Sequence, residues 1–111
     1  MENLSILWTN DNADTARQMV FMYAENALKL KWWDSINVII WGASASLVAR
    51  DEEIQKGVRS LIRTGVKVEA CKACAKNLGT VAQLEELGVE VKYMGEPLTE
   101  ILKSGKRLLT V

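Results

Sequence analysis

At 111 residues and 12.4 kDa the chain makes one domain and leaves no room for a second. Basic and acidic residues number 14 each, so the net charge is zero, without the basic excess of a dedicated nucleic-acid binder. No histidine is present, which removes Ser-His-Asp and Cys-His catalysis, His-ligated metals and histidine pH switches together.

The segment Met1–Trp8 lacks a basic region followed by a long apolar run, so no secretory signal is expected. The longest apolar run, Met19 to Ala24, is far short of the roughly 20 residues that span a bilayer. The expectation is a cytoplasmic protein with no membrane and no nucleic-acid partner. Thiols stay reduced in that compartment, so the two cysteines are not expected to form a permanent bridge.

In chain order, Leu4 to Thr9 reads as a first strand, and Thr9-Asn10-Asp11-Asn12 as a turn that supplies N-cap candidates. From Ala13 to about Lys31 the apolar positions Ala16, Met19, Val20, Tyr23, Ala27 and Leu30 form one helical face. Ser35 to Trp41 is nearly all apolar, as suits a strand buried on both faces of a parallel sheet. It runs into a small-residue loop, Gly42-Ala43-Ser44-Ala45-Ser46. Asp51 reads as the N-cap of a helix carrying Ile54, Val58, Leu61 and Ile62, with Gly65 as its stop. Val66 to Ala70 alternates as a third strand ending at Cys71. The helix that follows is interrupted near Gly79-Thr80 and stops at Gly88. Val89 to Tyr93 is a fourth strand, Pro97 lies in the first turn of a helix through Lys103, and Arg107 to Val111 closes the chain as a fifth strand.

The alternation of strands and helices predicts a three-layer α/β/α fold on a mainly parallel five-stranded sheet, with the first two strands internal. Ligands of such sheets bind beyond the carboxyl ends of the strands. Three loops meet that rule. In the first, Asn10 and Asp11 could hold a polar ligand or simply cap the helix. In the second, Gly42 and Ser44 could line a pocket, although without histidine the Gly-x-Ser-x-Ser spacing does not make a serine hydrolase. The third, Cys71-Lys72-Ala73-Cys74, puts a C-x-x-C where a strand gives way to a helix. The free N–H groups and partial positive charge of a helix start stabilise a thiolate, which is the reactive form, and Lys72 adds positive charge nearby. Cys71 is therefore expected to be the reactive thiol. Cys74, whose spacing to Leu78 and Val81 turns it toward the apolar face, is expected to be a more buried helper or resolver. A structural zinc needs four ligands and one chain offers two, so no metal or cofactor is expected. Trp32-Trp33 could supply a subunit contact or a lid over the sheet's amino edge.

The stretch Val-Glu-Ala-Cys-Lys-Ala-Cys-Ala-Lys-Asn-Leu-Gly, with a strand-end Cys71 and Gly79 eight residues on, resembles the DsrE/DsrF-like family over nearly the whole chain. That family includes sulfur-relay subunits such as DsrE and TusD and the YchN-like proteins; the second cysteine, Cys74, is similar to the YchN-like branch. The resemblance implies a small protein assembled with itself as a homotrimer or hexamer. At the position matching Cys71, it implies a cysteine that takes a persulfide sulfur from a donor protein and passes it to an acceptor. A C-x-x-C dithiol redox protein and a non-catalytic oligomeric small-ligand-binding module are the competing readings.

Overall fold

The computed structural model describes residues 2–111. Its sheet has the order β4-β3-β2-β1-β5 and is parallel throughout, with β1 (Asn3–Trp8), β2 (Ser35–Ile40), β3 (Lys67–Cys71), β4 (Glu90–Lys92) and β5 (Arg107–Thr110). The expected fold class holds, and β1 and β2 are both internal. The three strands β2, β3 and β4, added in one direction from β1, place their right-handed crossovers on one face, whereas the return from β4 to β5 puts its helix on the other.

The first face carries the main core. Leu4, Ile6 and Trp8 of β1, Ile36, Val38 and Ile40 of β2, and Val68 and Ala70 of β3 point into it. The covering layer starts with one continuous helix: α1 (Ala13–Thr15), a π-helical segment (Ala16–Phe21) and α2 (Met22–Lys29). Asn12 caps it, its side chain accepting from Thr15 N–H at 2.9 Å. α4 (Glu52–Thr64) begins at Asp51, which accepts from Glu53 and Ile54 N–H, and ends at Gly65 in a left-handed conformation. α5 (Lys72–Leu78) and α6 (Val81–Glu86) complete this layer.

Two local readings change. The small-residue segment after β2 is no loop: α3 (Ala43–Arg50) starts directly at Gly42, because Ala and Ser side chains are small enough for the helix to pack closely on the strand ends, burying Ser44 and Ala45. The π-helical turn inside the long helix leaves no mark in the apolar spacing. Trp33 is half-buried and donates its Nε1–H to Tyr23 Oη at 3.1 Å, while Trp32 is exposed.

The second face has one helix, α7 (Gly95–Lys103), in which no residue is fully buried. Over the amino half of the strands this face is polar. Asn3 Nδ2–H and Ser5 Oγ–H donate to Asn37 Oδ1 at 3.1 and 2.8 Å, and Asn37 Nδ2–H donates to Glu69 Oε1 at 3.1 Å. Glu69 also pairs with Lys92 at 2.9 Å and with Lys67 at 3.6 Å, and both lysines reach Glu90.

Candidate functional site

Toward the carboxyl ends of the strands the second face turns apolar. Ile39, Cys71 and Met94 are buried there, packed with Leu7, Trp41, Cys74 and Ile101. The register explains the grouping. Leu7 pairs with Ile39 across β1 and β2, Cys71 ends β3 beside Lys92 of β4, and Ile101 comes down from α7.

Cys71 is both the last residue of β3 and the N-cap of α5, with extended backbone (φ −68°, ψ 114°). Cys74 is the third residue of that helix, so the two side chains share its first turn. Both thiols are free. Cys71 is 4% exposed and Cys74 is only half-buried, the reverse of the order expected from the Leu78 and Val81 spacing. The difference lies in β3: its last residue points onto the face that α7 covers, whereas α5 lies at the rim of the cluster. Burial pushes the Cys74 thiol above its ordinary value. Its S–H hydrogen bond to Cys71 and the charge of Cys71 push the same way, while a hydrogen bond from the Gly42 backbone N–H opposes them. Cys74 therefore holds its proton at neutral pH.

Gly42 has φ 68° and ψ −127°, a conformation that essentially only glycine adopts. A Cβ there would meet no atom within 4 Å, so the residue borders open space. Gly42 caps α3, and the contact of α3 with α5 brings the second segment beside the third.

The other anticipated residues serve elsewhere. Ser44 is fully buried; its Oγ–H donates to the Trp8 carbonyl at 2.6 Å and its oxygen accepts from Trp41 N–H at 3.0 Å. It brackets the ends of β1 and β2. Asn10 accepts from Asn12 N–H at 3.1 Å within its own turn, and Asp11 pairs with Arg50 of α3 at 3.3 Å, so the first loop is tied to the second. The Lys72 ammonium stands over the Tyr93 ring, 5.4 Å from its centroid, and Lys76 donates to Tyr93 Oη at 3.3 Å. Met94 and Tyr93 follow β4, whose carboxyl end opens at the same edge. Applying the strand-end rule to the fourth strand would have found them.

Among the described residues no group of three or more His, Cys, Asp and Glu is placed to hold a metal ion. Among the same residues no helix is long and apolar enough to cross a membrane.

A family model described as the DsrE/DsrF-like family matches residues 3–111. None of the curated proteins matches the chain. Among solved structures, the conserved protein of unknown function BT1422 from Bacteroides thetaiotaomicron is similar at 44% identity and a TM-score of 0.97, over 99% of this chain and 95% of that one. The ychN protein from E. coli (17% identity, TM-score 0.74) and the protein of unknown function MTH1491 from Methanobacterium thermoautotrophicum (19%, 0.70) are each covered completely and cover this chain completely. At those identities they share the fold.

Proposed function

The chain belongs to the DsrE/DsrF-like family, and from that membership we propose that it carries sulfane sulfur as a persulfide on Cys71. The observation that carries the reading is the pairing of the two thiols. Cys71 caps α5 and Cys74 is its third residue, so two free thiols share one helical turn within one apolar cluster at the sheet's carboxyl edge. The Cys71 thiolate attacks the outer sulfur of a donor persulfide R–S–SH. A new S–S bond forms on Cys71, the donor's S–S bond breaks, and RS⁻ leaves. Ile39, Met94, Leu7 and Ile101 wall the loaded sulfur away from stray nucleophiles, and the open side at Gly42 is its way in and out.

The carrier works in a reducing cytoplasm between a donor and an acceptor protein and assembles with itself as a trimer or hexamer. Exposed Met22, Leu30, Trp32, Leu78, Tyr93 and Leu102 give such an assembly apolar surface to bury. Light scattering at tens of micromolar is expected to give a multiple of the chain mass, and a monomer there refutes the assembly.

Intact mass after treatment with glutathione persulfide tests the chemistry. The expected result is the addition of one sulfur atom that a reductant removes, abolished in Cys71→Ser. Loading that persists unchanged in Cys71→Ser, or no loading of any variant, overturns the proposal.

A further inference from the structure

We infer that Cys74 makes this carrier release its sulfur as hydrosulfide, by attacking the Cys71 persulfide within the same chain and leaving a Cys71–Cys74 disulfide. This rests on the persulfide reading of Cys71 given above.

The geometry starts from the helix cap. An N-cap side chain and the side chain three residues on lean toward each other, as in a capping box, where each reaches the other's backbone N–H. Here both positions hold a free thiol, and both side chains belong to the one apolar cluster under α7. Helix neighbours at this spacing have Cβ atoms about 5–6 Å apart, and a disulfide needs about 3.5–4.5 Å. The extended backbone at Cys71 ends a strand rather than continuing a helix, so closing that gap takes movement of the first turn alone.

Among the described residues, the other candidate nucleophiles at this edge are engaged elsewhere. The Ser44 hydroxyl is committed to Trp8 and Trp41, and the Lys72 and Lys76 ammonium groups are engaged with Tyr93. Cys74 also sits nearer solvent than Cys71, at the rim of the cluster that buries it. The Gly42 N–H that donates to the Cys74 sulfur supports it as negative charge develops during attack.

The step balances without a further reagent. The persulfide anion on Cys71 and the thiol of Cys74 give the disulfide and HS⁻. The Cys74–Cys71 sulfur bond forms and the bond from Cys71 to its outer sulfur breaks. The Cys74 proton passes to the outer sulfur, which leaves. The two cysteine sulfurs are oxidised and the sulfane sulfur is reduced to sulfide. A dithiol reductant then restores the pair by thiol–disulfide exchange. The high proton affinity of Cys74 gives the persulfide a lifetime, because the attack waits on removal of that proton.

The experiment uses the full chain, reduced, exposed anaerobically to glutathione persulfide and freed of excess donor, with intact mass and released sulfide followed over time. Wild type is expected to lose the added sulfur and finish two hydrogens lighter than the reduced protein, with one equivalent of sulfide. Cys74→Ser is expected to load Cys71 and keep the persulfide at least about tenfold longer, since a well-oriented intramolecular nucleophile has been removed. If Cys74→Ser loads and wild type holds its persulfide equally long without sulfide, this inference fails and the carrier reading stands. If wild type itself, and with it Cys74→Ser, acquires no sulfur, the carrier reading fails and takes the inference with it. Sulfide release by Cys71→Ser at the wild-type rate also overturns it. The mass of wild type is readable without any variant, so a poorly folded variant does not blunt the test.

Discussion

Ser44→Ala separates two roles for a serine at the sheet's functional edge. Its side chain is fully buried, donating to the Trp8 carbonyl at 2.6 Å and accepting from Trp41 N–H at 3.0 Å. Removing the hydroxyl orphans neither backbone group, because Trp41 N–H also donates to the Trp8 carbonyl at 3.0 Å. The loss is therefore that of one to two buried hydrogen bonds without an unpaired group, about 1–2 kcal/mol, at the low end for a buried polar deletion. For a domain of this size that lowers Tm by about 4–8 °C. Denaturant unfolding is expected to show the lower midpoint with an unchanged m-value, and persulfide loading under native conditions is expected to match wild type. Unchanged stability would refute the bracket. Loss of loading at undiminished stability would mean that the hydroxyl acts in the sulfur chemistry.

Lys92→Met removes the closest partner of Glu69, whose carboxylate is 6% exposed, and should cost about 1–2 kcal/mol at neutral pH, with Lys67 keeping the loss from being larger. Glu69→Gln in the same chain should recover part of it, and no loss in Lys92→Met contradicts the reading. Gly57→Ala should gain about 1 kcal/mol of helix propensity. Its Cβ would fall 2.4 Å from Phe21 Cε2, and that ring is held edge-on against Trp8, so overpacking wins and the net effect is a loss of about 1–2 kcal/mol. Phe21→Leu alongside should relieve it, and a stabilised Gly57→Ala would refute the clash. Alkylation of Cys74 should rise at higher pH than that of free cysteine, and Cys71→Ser should lower the inflection only part way, since burial is the larger cause. The folded chain keeps a proton there that the unfolded chain gives up, so this contribution to stability is present below the free-thiol range and is lost on alkalinisation. An inflection at or below that of free cysteine counts against this placement.

The parallel sheet, its two internal strands and the placement of Cys71 at a strand end were legible because each rests on a strong local signal. The uninterrupted apolar run of Ile36 to Trp41 requires a strand covered on both sides, and Cys71 follows the clean alternation of Val66 to Ala70. The exposure of the two thiols was misread because the period of α5 was extended through Gly79. That glycine is left-handed (φ 70°) and ends the helix, so Val81 belongs to the next element and says nothing of Cys74, while Leu78, four residues on in the same helix, is itself exposed. Ser44 was legible as a small residue near the edge, but its bond to the Trp8 carbonyl spans 36 residues of chain, a distance no local pattern encodes. Lys72 and Tyr93 are likewise joined only by the packing of α5 on β4.

The cysteine's position follows from how the strands change along their length on the α7 face. Read from amino to carboxyl end, β1 presents Asn3, Ser5 and then Leu7; β2 presents Ser35, Asn37 and then Ile39; β3 presents Lys67, Glu69 and then Cys71. The polar rows are satisfied by one another, from Asn3 through Asn37 and Glu69 to Lys92, so that half of the face needs no covering layer. The final row cannot satisfy itself with hydrogen bonds and must be covered. A single nine-residue helix does this through Ile101, with Met94 at its N-cap. A thiol in that row is buried in the apolar cluster and held by a strand end that cannot shift register without exposing Val68 and Ala70. On the proposed persulfide reading, the half-buried Cys74 at the rim is then the neighbour that a sulfur on Cys71 meets first.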